Sequence, residues 1–290
     1  MNALNPSAAD DVGGMTPDQF AIISSLAHKE AGLVFPVSKS ALVSSRLVKR
    51  LRETSIVNFD DYCQFVSSSD GKNELRLMIS ALTTNISSFF RENHHFEFLK
   101  TDVFPDLARR AKAGNRIRIW SAGCSVGMEA YSIGMTLLEI LPQASSLDVK
   151  ILASDIDPKV LIVGKNGTYD ERQLSAIPQE LRKKYFDNPS STELGKFQAH
   201  PDLLSLTTFR ELNLLEKWPI SGNFDIIFCR NTVIYFDDKT QNKLWPRFQN
   251  ALAPEGWLFV GHSERVPETS NTDFENRGMT IYRRSPRPTT

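Results

Sequence analysis

The sequence predicts an α/β fold, a parallel sheet covered by helices on both faces, preceded by a small all-α domain. Three observations carry this. Short apolar runs of strand type alternate with helical stretches after residue 115. Nothing before residue 110 reads as a strand, while the first 85 or so residues carry helical periodicity and helix caps. The strand Ile117-Arg-Ile-Trp120 also runs into Ser-Ala-Gly-Cys-Ser-Val-Gly and then a helix, the join that a strand-turn-helix unit requires.

In chain order, residues 1–15 read as a disordered tail of small and polar residues. Thr16 caps a first helix, with Pro17 at its first position and Gln19 completing a capping box. Phe20, Ile23, Leu26 and Ala27 mark its apolar face, and Gly32 stops it. A second helix fits 39–53, a third follows the Asn58 cap, and a fourth covers 72–82, giving a helical domain over 16–85. The second domain, 86–284, begins its sheet at 117–120, with a helix at 128–141 and a strand at 149–154. Another helix starts at Asp157-Pro158, and strands follow at 207–212, 224–229 and 256–260. The helix at 238–252 contains Pro246, which should kink or restart it. More than 50 residues separate Asp155 from the strand at 207, more than one crossover needs. A helix at 178–186 and the polar, turn-rich stretch 187–206 suggest an inserted subdomain at the sheet edge, and residues 285–290 read as a second disordered tail.

Composition narrows the function classes. The 290 residues carry 34 basic and 34 acidic side chains, a formal net charge of zero, which argues against binding nucleic acid through the overall field. No apolar run reaches the ~18–20 residues of a membrane span, and the N-terminal residues have neither a basic start nor an apolar stretch. Cys63, Cys124 and Cys229 form no CxxC pair, so the chain reads as a cytoplasmic protein rather than a disulfide or zinc scaffold.

Ligands of open parallel sheets bind beyond the carboxyl ends of the strands, where Gly123-Cys-Ser-Val-Gly127 falls. Gly123 lets a backbone approach a ligand closely, although a plain strand-to-helix turn would look the same. The spacing is neither GxGxxG nor a phosphate loop. Asp155 ends the second strand, where a carboxylate can accept both ribose hydroxyls; it could also cap the next helix, a role that suits Asp157 better. Glu129, in the first turn of the following helix, can meet a ligand's ammonium group. Ribose and positive charge without a pyrophosphate point to S-adenosylmethionine rather than NAD.

Six motifs occur in order: Asn85-Ile-Ser-Ser-Phe-Phe-Arg91-Glu, Trp120-Ser-Ala-Gly-Cys-Ser-Val-Gly-Met-Glu129-Ala-Tyr-Ser, Ala153-Ser-Asp155-Ile-Asp, Asn213-Leu-Leu, Phe228-Cys-Arg-Asn231-Thr-Val-Ile-Tyr235-Phe and Gly261-His-Ser-Glu264. Together they closely resemble the chemotaxis receptor methyltransferases, the CheR family, over roughly residues 16–284. The resemblance implies a Rossmann-like S-adenosylmethionine-dependent methyltransferase domain with a small inserted β-subdomain behind the helical domain. It implies methyl transfer to glutamate side chains of chemoreceptors, leaving S-adenosylhomocysteine. Carried over by position, Asn85, Ser87, Arg91, Glu129 and Asp155 would line the cofactor pocket. Asn213, Leu214, Arg230 and Asn231 would complete it. The family usually has Thr at Ser87 and Thr-Gly-Glu-Glu where this chain reads Val126-Gly-Met128-Glu129, which bears on cofactor affinity.

Arg91 and Tyr235 are the catalytic candidates, to orient the acceptor carboxylate and to donate a second hydrogen bond. Arg91 could instead pair with Glu92, and Tyr235 could be a core aromatic. His94, His95 and His262 lack metal-ligand spacing. Lys39, Arg46, Lys49, Arg50 and Arg52 form a basic strip on the segment 39–52, either a solvated face or a surface steering receptor methylation helices. The β-subdomain could take a receptor C-terminal peptide by strand addition, and the enzyme is expected to act as a monomer, without nucleic acid or membrane insertion. Two rivals stand beside this: a methyltransferase of the same fold on another substrate, and a non-catalytic cofactor-binding module.

Overall fold

A computed structural model describes residues 14–188 and 195–285. Apart from Gly14, Met15 and Ser285, the tails expected to be disordered lie outside the described residues. The chain divides into two compact units, Met1–Thr84 with Tyr235–Asp237, and Asn85–Ile234 with Asp238–Thr290.

The first unit is helical: α1 (Pro17–Ala31), α2 (Ser40–Thr54), α3 (Phe59–Ser67) and α4 (Lys72–Leu82). The capping box at Thr16 is formed, with Gln19 N–H donating to Thr16 Oγ1 at 3.3 Å and Thr16 N–H to Gln19 Oε1 at 2.8 Å. Gly32 ends α1 at φ 70°, and Asn58 caps α3 by accepting from Asp61 N–H at 2.8 Å. Ile23, Leu47, Leu51, Tyr62 and Met78 are fully buried between these helices. Arg50 is buried as well, donating to Glu74 through Nε (2.9 Å) and Nη2 (2.5 Å). Arg46 donates to the carbonyls of Leu82 and Thr83 at the end of α4. The expected strip of five charges on 39–52 is therefore reduced: Arg50 faces inward because Glu74 on α4 completes it, and Arg46 serves as a C-terminal cap.

The second unit opens with α5 (His94–Phe98), a π-helical turn (Leu99–Val103) and α6 (Phe104–Lys112). Then come β1 (Ile117–Ala122), α7 (Met128–Ile140), β2 (Val149–Asp155) and α8 (Pro158–Asn166). After β3 (Thr168–Asp170), α9 (Gln179–Tyr185), β4 (Phe186–Asp187) and β5 (Lys196–Ala199), the chain returns through α10 (Pro201–Leu206) to β6 (Thr207–Glu211). It finishes with β7 (Phe224–Cys229), α11 (Asp238–Ala251), β8 (Leu252–Val260), β9 (Phe274–Gly278) and β10 (Ile281–Arg284).

The main sheet has the order β6-β2-β1-β7-β8-β10-β9. Its first five strands are parallel, and β10 and β9 add antiparallel. Ile119 on β1 sits opposite Ile151 on one side and Ile226 on the other, all fully buried, as strands covered on both faces require. The strand order reverses between β1 and β7, so the crevice at their carboxyl ends is the topological switch point.

Two expectations change, and one element is new. The inserted subdomain is a three-stranded antiparallel sheet, β3-β5-β4, that starts at Thr168 and ends at Ala199 rather than spanning 187–206, of which 189–194 lie outside the described residues. Pro201–Leu206 instead forms α10, which packs on α7, β2 and β6. Helix α11 runs unbroken through Pro246, held by the buried Leu244, Trp245 and Phe248. The β9–β10 hairpin was not foreseen, since Phe-Glu-Asn-Arg-Gly has no apolar run.

Candidate cofactor site

At the end of β1 the chain turns sharply. Gly123 (φ 78°), Ser125 (φ 50°) and Gly127 (φ 86°) are left-handed, and the Gly123 and Cys124 N–H groups donate to the Ser154 carbonyl at 2.8 and 2.9 Å. A Cβ on Gly123 would lie 2.2 Å from Thr232 Oγ1, so only glycine fits between this turn and the segment after β7. Asp155, buried at the end of β2, accepts from Ser125 N–H at 2.8 Å and Asp157 N–H at 3.0 Å. Burial pushes its carboxyl up, and these backbone hydrogen bonds pull the other way. Helix capping falls to Asp157, which accepts from Lys159 N–H at 2.9 Å. Asp155 is thus left facing the glycine turn with acceptor capacity beyond its backbone bonds.

Glu129 lies in the first turn of α7, where its Oε1 accepts from Ser121 Oγ at 2.7 Å and its Oε2 from Arg230 Nη1 at 3.2 Å. Burial pushes its carboxyl up, against the pull of Arg230 and Ser121. Arg230, 5 % exposed, is shared: Nη2 lies 3.0 Å from Glu92 Oε2 and also donates to the Arg91 carbonyl. Burial would push the Glu92 carboxyl up, but Arg230 and two hydrogen bonds from His262 overcome it and hold it at about 2.

The other expected residues are placed as follows. Asn85 donates through Nδ2 to Asp157 Oδ2 at 2.8 Å, and its carbonyl accepts from Ser125 Oγ, so this segment is tied to the glycine turn. Ser87 and Arg91 are partly buried, and Arg91 Nη1 donates to the Ile86 carbonyl at 3.2 Å. The partner of Glu92 is Arg230, not Arg91. Asn213 accepts from Leu215 N–H at 2.9 Å just after β6, and Leu214 is buried beside it. Asn231 is left-handed (φ 56°) after β7, with Nδ2 3.3 Å from Glu92 Oε1. Tyr235 closes a short turn, its carbonyl accepting from Val34 N–H at 2.9 Å within the helical unit, and the structure brings it into none of the contacts just described.

Two carboxylates escaped the sequence reading. Glu92 was weighed only as a surface partner. Glu264 ends the Gly261-His-Ser-Glu motif, is 3 % exposed, and accepts from five backbone N–H groups, those of Asn231, Thr232, Val233, Ile234 and Gly261. The signal for both was an acid closing a motif already singled out. Of the family departures, Met128 is 3 % exposed inside the apolar core and Val126 packs against it, its carbonyl accepting from Tyr169 Oη at 2.6 Å. Neither side chain belongs to the set of polar groups around the turn.

The donor set fits S-adenosylmethionine. Asp155 has free acceptor capacity for ribose, Glu129 and Glu92 outweigh Arg230 in charge, and the Gly123 turn admits a close backbone approach. Comparison with known proteins agrees. The family model described as "CheR methyltransferase, SAM binding domain" matches residues 85–283, and that described as "CheR methyltransferase, all-alpha domain" matches residues 18–83. A probable chemotaxis protein methyltransferase of Rhizobium etli is 46% identical over 256 residues, 88% of this chain and 96% of that one. Chemotaxis protein methyltransferase 2 of Pseudomonas aeruginosa is 41% identical over 271 residues, covering 92% and 93%. The chemotaxis protein methyltransferase of Escherichia coli is 39% identical over 264 residues, covering 91% and 89%. The chain belongs to the CheR family and is an S-adenosylmethionine-dependent methyltransferase.

Proposed function

We propose that the chain methylates glutamate side chains of chemoreceptors, forming glutamyl methyl esters with S-adenosylhomocysteine as the product. The observation that carries this is the pair of carboxylates, buried Asp155 and largely buried Glu129, flanking the Gly123 turn at the switch point of the sheet. When bound, S-adenosylmethionine supplies an activated methyl group on a cationic sulfonium. Asp155 would hold the ribose hydroxyls and Glu129 the ammonium, with Asn85, Ser87, Asn213 and Leu214 lining the site. Arg230 acts as the counter-charge to Glu129, and Asn231 completes the wall after β7.

The acceptor glutamate, with a pKa near 4.3, is already ionised at neutral pH and needs no general base. The protein therefore contributes orientation and partial removal of water, and orientation alone can be worth as much as ~7–11 kcal/mol in well-aligned systems. Arg91 is assigned the orienting contact, with its guanidinium matched to a carboxylate plane. Tyr235, four residues on from Asn231, is assigned a second hydrogen bond to the same carboxylate.

Lys39 just before α2, and Lys49 and Arg52 on it, remain exposed and would steer acidic receptor helices, and the β3-β5-β4 sheet would take a receptor C-terminal peptide as an added strand. No helix among the described residues is long and apolar enough to cross a membrane, and the enzyme is assigned to the cytoplasm as a monomer.

The test uses radiolabelled S-adenosylmethionine and receptor-rich membranes. Base-labile label should appear on receptors, fall about 100-fold or more in Asp155→Ala and Arg91→Ala, and fall about tenfold in Tyr235→Phe. Cofactor binding with no label on receptors would sink the receptor assignment.

A further inference from the structure

We infer that Glu92 is a positioning residue for the amino-acid end of the cofactor: it shares Arg230 with Glu129 and so keeps a net negative charge beside the first turn of α7. The inference rests on reading the site as one for S-adenosylmethionine, and it concerns a residue to which neither the motif reading nor that assignment gives a role.

Glu92 is a non-glycine residue in the left-handed region, at φ 56°. Such a backbone persists where its surroundings over-determine it, and those surroundings are specific. Oε2 lies 3.0 Å from Arg230 Nη2 and 3.4 Å from Nε. Oε1 accepts from Asn231 Nδ2 at 3.3 Å, His262 N–H at 3.2 Å and His262 Nδ1 at 2.9 Å. One carboxylate thus ties together the loop after β7, the loop after β8, and the segment 85–92 that carries Asn85, Ser87 and Arg91.

The charge count gives the contact its purpose. The side chains of Arg230, Glu92 and Glu129 are 2 %, 11 % and 13 % exposed, so one buried cation faces two largely buried carboxylates. Arg230 grips Glu92 through two nitrogens and Glu129 through one, at 3.2 Å. Glu129 therefore keeps part of its charge unopposed, and an α-ammonium group is the cation that would complete the set. Without the Glu92 charge, Arg230 would answer Glu129 alone, the trio would be neutral, and the attraction for the ammonium would weaken. The ribose end, held by Asp155 and the glycine turn, does not involve these contacts.

Two ligands separate the ends of the site. S-adenosylhomocysteine carries both the nucleoside and the amino acid, and 5′-methylthioadenosine carries only the nucleoside. Calorimetric titration of both into the full chain should show Glu92→Gln binding S-adenosylhomocysteine at least about tenfold more weakly, with 5′-methylthioadenosine within about twofold of wild type. A merely structural defect would weaken both ligands together and would overturn the inference, as would unchanged binding of S-adenosylhomocysteine. Should Glu92→Gln fail to fold, His262→Ala decides, since it removes a contact to Glu92 without touching Arg230. A two- to threefold loss for S-adenosylhomocysteine alone supports the inference, and no loss overturns it. Wild type failing to bind S-adenosylhomocysteine at all would instead remove the reading of the site itself.

Discussion

Arg50 in the helical unit and Arg230 in the α/β unit are both buried beside carboxylates, and the two clusters differ in what they leave unbalanced. In the helical unit Arg50 meets Glu74 through two contacts of 2.9 and 2.5 Å, and Tyr62 Oη donates to the same Glu74 at 2.7 Å. The third member, Glu53, is 42 % exposed, so the charges that are buried cancel one for one. In the α/β unit one buried Arg230 faces two carboxylates that are both largely buried, Glu92 and Glu129. A balanced buried pair joins elements and is complete; an unbalanced one has capacity for a cationic ligand. The same two side-chain types, one arginine with two glutamates, thus serve α2–α4 packing in one place and the proposed cofactor site in the other.

The largest effect expected from this contrast is in the helical cluster. Arg50→Ala would leave the Glu74 carboxylate buried without its cation, a loss of about 3–5 kcal/mol. Urea denaturation of the full chain should show it, with S-adenosylhomocysteine affinity unchanged at low denaturant. A loss below about 1 kcal/mol would break the comparison, because the pair would then not be what joins α2 to α4. A smaller effect follows from adding a carboxylate to the α/β unit away from Arg230. Met128→Glu restores the family's usual acid, but at a position 3 % exposed within the apolar core. It should lower stability by about 1–3 kcal/mol and leave cofactor affinity no better. Tighter binding in this variant would show that charge, wherever placed near α7, suffices.

Mild acid should act on the α/β cluster through His95. The ring is fully buried, packed edge-on against Phe259 and 3.7 Å from Glu92, with Nε2 3.1 Å from the Met279 carbonyl. Burial, reinforced by the Arg230 charge, pushes its pKa down to about 3. An unfolded histidine takes up its proton near pH 6.5, so below that point the unfolded chain binds a proton that the native ring refuses. Stability contributed by the neutral ring is therefore full above pH 6.5 and lost progressively as pH falls toward 3. Between pH 7 and 5.5 wild type should lose about 1 kcal/mol more than His95→Gln, read as the pH dependence of the denaturation midpoint in both proteins. Parallel curves would mean that the native ring protonates freely beside Arg230, and the cluster would then be more open to water than its burial implies.

What was legible in the sequence was local. The Thr16 capping box, the Gly32 and Asn58 caps, the strand runs at 117 and 224 and the glycine turn each depend on residues within a few positions. The three-residue β3 could not be read, because it is too short to show alternation; it is held by Tyr169, which packs edge-on against Phe89 at 5.1 Å. The β9–β10 hairpin was hidden because its strands add to an existing edge, β9 carries exposed charges and β10 is only four residues long. At the proposed site, Asp155 and Glu129 were legible as candidates because a strand end and a first helical turn are local features, and the structure places both beside the glycine turn. Glu92 was not, because Arg230, its main partner, lies 138 residues away. Arg50 misled for the same reason: as one of five basic residues on a helix it looked exposed, and only the position of Glu74 on α4 turns it inward.

The smallest predicted effect sharpens that last point. Lys49 is one residue from Arg50 on α2, and it too has a carboxylate at hand, Glu53 at 3.8 Å and four residues on. The side chains are 79 % and 42 % exposed, so water and salt screen the pair and both chains must be ordered to hold it. Lys49→Gln should therefore cost no more than about 0.5 kcal/mol, and the difference should shrink further in 0.5 M salt. Neighbouring cations on one helix would then differ several-fold or more in their worth to the fold, with burial and not charge as the variable. A cost for Lys49→Gln approaching that of Arg50→Ala would instead make the whole basic face of α2 structural and withdraw it from receptor steering.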